Sequence, residues 1–167
     1  MQEARTEISA LGEFGLIDLI TKNMQPSNAT TVLGIGDDAA VIDPMGKHIV
    51  VSTDMLVEGV HFDMSYTPLK HLGYKSVVVN VSDIYAMMAT PTQITVSIAI
   101  SNRYSVQAIA ELYEGIQEAC DAYKVDLVGG DTTTSPAGLV ISITAIGEIA
   151  EGKQVTRSGA QENDLIC

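Results

Sequence analysis

Four short stretches join an aspartate to glycine, hydroxyl or amide neighbours: Gly36-Asp37-Asp38, Ser52-Thr53-Asp54, Asn80-Val81-Ser82-Asp83 and Gly129-Gly130-Asp131. Each alone is an everyday turn or helix cap, because short polar side chains bond readily to nearby backbone. Together they form a scattered set of hard oxygen donors. Magnesium suits such a set, since it takes near-octahedral oxygen, keeps some of its waters and usually completes its shell with phosphate oxygens. Asp54 follows the apolar run Ile49-Val50-Val51, and Asp83 lies between Val77-Val78-Val79 and Ile84 of a predicted helix. Both acids are expected in apolar settings. An unpaired charge taken out of water is costly, so the two argue for a common cation.

Other chemistries find less support. LGIGDDA is followed by no Gly-Lys-Ser/Thr, and no dinucleotide fingerprint runs from a strand into a helix. Serines and cysteines lack a convincing His/Asp partner for nucleophilic work. Lys75, Arg103 and Arg157 are the cations worth noting for phosphate, and His61 follows the Ser52-Thr53-Asp54 strand closely enough to face the same site.

These side chains need elements to hold them. Apolar spacing over Glu13 to Met24 predicts a short amphipathic helix, ended by Pro26-Ser27-Asn28. Ala39–Asp43 and His48–Val57 read as an antiparallel hairpin about the turn Pro44-Met45-Gly46-Lys47. Pro68 opens a long helix over Leu69 to Ala89, Thr92–Ile100 is a strand, and Ser105 caps a helix reaching Tyr123. Val125–Val128 and Leu139–Ile149 complete the set as strands. The expected fold is α+β: a mixed sheet of four or more strands with two long helices on one face. The other face then lacks a cover, and a second copy of the same sheet is the expected one, giving a homodimer.

With 167 residues, 46% of them hydrophobic and 18% charged, the chain can bury a real core. Its 21 acidic residues against 9 basic ones, net −12, speak against nucleic acid or an anionic membrane as partner. Two cysteines without zinc spacing, no signal-like start and no long apolar run lead to the expectation of a cytoplasmic protein.

In order along the chain, GEFGLID, GIGDDAAVI, VVSTDMLVEGVHF, YKSVVVNVSDIYAM, VGGDTT and TRSGA resemble the thiamine-monophosphate kinase family. That family belongs to a larger group with aminoimidazole ribonucleotide synthetase and selenophosphate synthetase, whose members bind ATP across a dimer of amino-terminal domains. The resemblance implies transfer of the γ-phosphoryl group of ATP to thiamine monophosphate, giving thiamine diphosphate and ADP. It implies magnesium held by Asp38, Ser52, Thr53, Asp54, Asp83 and Asp131, ATP contacts from Tyr113, Gly130, Asp131 and Arg157, and a substrate contact from His61. Alternatives within its reach are an ATP-dependent synthetase of the aminoimidazole ribonucleotide type and a non-catalytic nucleotide-binding dimerisation module. The resemblance further implies an amino-terminal ATP- and magnesium-binding dimerisation domain over residues 1–155, with 156–167 the start of a second α/β domain missing from this chain. One departure stands out: SDIYAMMATP places Tyr85 and Met88 where the family pattern has small residues and, after the Ala-Met pair, a glycine.

Overall fold

The two longest helices owe their place to their sequences. Pro68, extended at φ −63°, is the last residue before α2 (Leu69–Ala86), whose Leu72, Val77, Val81 and Ile84 point inward. Ser105 caps α3 (Val106–Tyr123) as expected, its hydroxyl accepting from Ala108 N–H at 3.2 Å. The inward stripe of α3 includes Ile109, Leu112, Tyr113, Ile116 and Ala119. Gly73 and Gly115 allow α2 and α3 to approach backbone to backbone. A Cβ on Gly73 would collide with the Leu112 carbonyl, and one on Gly115 with that of Lys70.

This computed structural model describes residues 6–33, 35, 41–156, 158 and 161–165. Before α2 come α1 (Gly12–Thr21), β1 (Thr31–Leu33), β2 (Val41–Ile42) and β3 (His48–Val57); β4 (Thr90–Ile100), β5 (Asp126–Thr134) and β6 (Val140–Ile149) follow it. Four strands form one mixed sheet in the order β3-β6-β4-β5, antiparallel except for the parallel β4–β5 pair that α3 connects. The α+β architecture and the mixed four-stranded sheet agree with the sequence. The hairpin does not. The turn forms, with Lys47 N–H donating to the Pro44 carbonyl at 3.1 Å, yet β2 pairs with β1 in a separate ribbon and β3 pairs along its whole length with β6.

One sheet face carries Ile94, Val96 and Ile98 with Ile141, Ile143 and Ala145, all in a common core with the inward residues of α2 and α3. The opposite face alternates out of phase with it. Across β3, β6, β4 and β5 it presents the rows Thr53-Thr144-Thr95-Gly129 and Met55-Ser142-Ser97-Asp131. Val51 on this face is 61% exposed and Met55 56%. No described element covers it. Among the described residues no helix is long and apolar enough to cross a membrane.

Candidate functional site

β3 is an edge strand, and α2 runs beside it in the opposite sense. Ser52 Oγ donates to Asp83 Oδ2 at 2.7 Å, the Asp54 N–H donates to Asn80 Oδ1 at 2.8 Å, and Lys75 Nζ donates to the His61 carbonyl at 3.2 Å. Three pairs thus line one groove. From Lys75 to Asp83 the helix rises about 12 Å, which sets the length of that polar row. Asn80 is 1% exposed and gives its own amide N–H to the Ser76 carbonyl at 2.9 Å, so it pins β3 to α2 from beneath.

The carboxylates of Asp54 and Asp83 are exposed, not embedded in apolar surroundings as their sequence neighbours suggest. Asp54 belongs to an edge strand whose outer side meets solvent, and Asp83 stands on the flank of α2 between the buried Val81 and Ile84. Water already solvates them. Their claim to a cation rests on company rather than on burial: two carboxylates and a hydroxyl within one groove.

Of the other expected ligands, Thr53 and Asp131 lie on the open face of the sheet, away from α2. Asp131 is on the far edge strand, three strand spacings or about 14 Å from β3. One chain therefore gathers Ser52, Asp54 and Asp83 but neither Thr53 nor Asp131. Asp38 and Arg157 lie outside the described residues. No group of three or more His, Cys, Asp or Glu side chains able to hold a metal exists among the described residues. The groove nevertheless fits magnesium, which is commonly held by one or two carboxylates with phosphate and water completing the shell.

Tyr113, expected at ATP, is 5% exposed within the core, where burial pushes its phenol well above the ordinary range. In this chain its side chain packs beneath α3. Gly130 has a backbone reason to be glycine, since a Cβ there would collide with the Val96 carbonyl across the β4–β5 pairing. His61 is exposed in the turn after β3, and its Nδ1 accepts from the Val57 N–H at 3.0 Å. That leaves Nε2 as the outward nitrogen.

Asp126 and Glu58 are polar anchors that the sequence does not single out, and Asn80, named there only as a neighbour of Asp83, is a third. Asn80 is three residues before Asp83, hence on nearly the same helix side, and that spacing was a usable signal. Asp126 is 4% exposed and accepts from the N–H groups of Ser27 and Asn28 at 2.7 and 3.0 Å and from the Thr31 hydroxyl at 2.6 Å. Burial pushes its carboxyl up, but these bonds outweigh burial and hold it below the usual value. A cavity of about 140 Å³ adjoins it, lined in part by Gln117, Cys120 and Lys124. This cavity is on the β5 side and includes none of the expected site residues, whereas Ser52, Asp54 and Asp83 lie along β3 and α2.

The family described as AIR synthase related protein, N-terminal domain, matches residues 36–149. The thiamine-monophosphate kinase of Bacillus subtilis (strain 168) is 40% identical over 157 residues, covering 93% of this chain and 48% of that protein. A crystal structure of the thiamine-monophosphate kinase of Stenotrophomonas maltophilia K279a superposes with a TM-score of 0.75 at 36% identity, covering 90% of this chain and 46% of that one. A structure described as AaThiL complexed with AMPPCP and TMP gives a TM-score of 0.65 at 34% identity, covering 96% and 48%. The chain spans about half the length of the curated relatives it matches.

Proposed function

The chain belongs to the AIR synthase related protein family and carries its N-terminal domain, and from this premise we propose that the full-length protein transfers the γ-phosphoryl group of ATP to thiamine monophosphate. The observation that carries the reading is the convergence of Ser52, Asp54 and Asp83 in one groove, in a chain similar to a protein solved with AMPPCP and TMP. Magnesium would be held by Asp54 and Asp83, with Ser52 beside them, and when bound it would neutralise charge on the phosphates.

The remaining chemistry is positioning. The acceptor oxygen of a phosphate monoester is already anionic near neutral pH, so no side chain has to remove a proton from it. What the chain must do is bring two mutually repelling phosphates into line. His61, at the end of the groove, presents Nε2 outward for the thiamine phosphate, and ATP takes the part nearer Asp54 and Asp83. Arg157 and Asp38 are proposed as further contacts to ATP and metal. Gly130, on the far edge strand beside Asp131, and Tyr113, buried against the core, are proposed as ATP contacts for the dimer only.

A homodimer belongs to the same proposal. The open sheet face exposes Val51 and Met55 around hydroxyl rows, and a second copy would cover them while bringing another Asp131 and Thr53 to the shared surface. Metal roles for Thr53 and Asp131 are proposed for the dimer only. Within the full-length protein Asp54→Asn is expected to weaken magnesium-dependent ATP binding by about tenfold or more while leaving thermal unfolding nearly unchanged. Titration calorimetry with and without magnesium checks this, and unchanged affinity with undiminished magnesium dependence would remove Asp54 from the site.

A further inference from the structure

The turn that carries His61 is fastened by a carboxylate with no place in the groove. Glu58 is half-buried, and among the described residues its carboxylate partners belong to other loops: Oε1 accepts from Arg103 Nη2 at 2.9 Å, while Oε2 accepts from the Tyr104 hydroxyl and the Leu139 N–H, both at 2.8 Å. Its own N–H donates to the Leu139 carbonyl at 3.0 Å. Arg103 also reaches the Ala137 carbonyl at 3.2 Å, so the β4–α3 and β5–β6 loops are tied to each other as well as to Glu58. Gly138 leaves room for this side chain; a Cβ there would come within 2.8 Å of Oε2.

From that anchor the turn folds back on the end of β3. Gly59, at φ +80°, donates to the Phe62 carbonyl at 2.8 Å, and the N–H groups of Val60 and His61 both reach the Val57 carbonyl. Val57 N–H in return meets His61 Nδ1. Phe62 is buried, and Lys75 Nζ holds the His61 carbonyl from the α2 side. The ring orientation of His61 thus depends on a backbone loop clamped at Glu58 on one side and at Lys75 on the other.

We infer that Glu58 is a positioning residue for the acceptor end of the groove, holding the 57–62 turn so that His61 keeps Nδ1 on the Val57 N–H and Nε2 toward the substrate. The consequence for acceptor binding rests on the kinase reading above; the consequence for the imidazole does not. Burial pushes the Glu58 carboxyl up, but the bonds from Leu139, Tyr104 and Arg103 outweigh it and keep the group below its ordinary value, so it stays an acceptor at neutral pH.

Nitrogen-15 spectra of this chain, which has three histidines, read the tautomer of each ring. Native His61 is expected as the Nε2–H form, and both Glu58→Ala and Glu58→Gln are expected to convert it to a mixture. In the full-length protein the same changes are expected to raise KM for thiamine monophosphate by about fivefold or more while KM for ATP stays within about twofold. A native-like tautomer in the folded variants overturns the inference, as does an equal rise in both KM values, the mark of a purely structural role. Should Glu58→Ala fail to fold, Glu58→Gln decides, because it keeps the shape of the side chain. If the unmodified enzyme forms no thiamine diphosphate, the kinase reading falls, and the spectra still determine whether Glu58 holds the turn.

Discussion

Met88 ends α2 in the left-handed region, at φ 62°, with 68% of its surface exposed. At this position of SDIYAMMATP the resemblance implies glycine, and the backbone shows why glycine would suit it. A non-glycine residue in this conformation carries Cβ strain that glycine lacks. Met88→Gly is therefore expected to stabilise the fold by about 1 kcal/mol, since an exposed methionine gives up little packing in return. Urea unfolding measures this; a loss of stability would mean that the thioether packs more than its exposure suggests. Asp54 and Asp83 teach a different lesson at the same scale. Their types and order pointed to the groove, but their apolar neighbours pointed to burial, and the structure exposes both. Neighbours along a strand or helix report the face opposite as readily as the same face, and nothing local says that β3 is an edge strand.

Elements here are set by pairings that local signals do not choose. Pro44-Met45-Gly46-Lys47 turns where expected, with Gly46 at φ 76° suited to the left-handed region and Met45 held there at φ 51°, yet the strands on either side of it part company. β3 instead matches the ten-residue alternation of β6 from His48↔Ile149 to Val57↔Val140. The helices were legible because Ser105, Pro68 and the inward stripe of α3 are local facts; the partner of β3 is a long-range one. The path of residues 27–31 is long-range too, fixed by Asp126 at the start of β5, with Asn28 Nδ2 donating to the Thr92 and Lys124 carbonyls. Glu58 plays the corresponding part for the loops at the other end of β3. Both carboxyls sit below their ordinary values of 3.8 and 4.5 in the native state. Unfolded chains thus bind protons first as pH falls, and the stability these two groups give is complete above those values and drains away below them. Urea midpoints are expected to fall as pH drops below those ordinary values, and the fall is expected to be shallower in Asp126→Asn. An equal slope in the variant would show that other carboxylates govern acid unfolding.

On the scale of the whole molecule, a single chain gathers only part of the ligand set implied by its motifs. Ser52, Asp54 and Asp83 share the groove, while Thr53 and Asp131 face out from the sheet that α2 and α3 leave uncovered. Cover by a second copy would answer both the exposed Val51 and Met55 and the scattered oxygens, so sedimentation at micromolar concentration is expected to give twice the mass of one chain. A single-chain mass would separate the two halves of that reading. The most direct measurement is chromatographic detection of thiamine diphosphate after the full-length protein is mixed with ATP, magnesium and thiamine monophosphate. Thiamine diphosphate and ADP formed in equal amounts, and lost on omission of magnesium, are the expected result. A folded, ATP-binding protein that leaves thiamine monophosphate untouched would contradict the kinase reading.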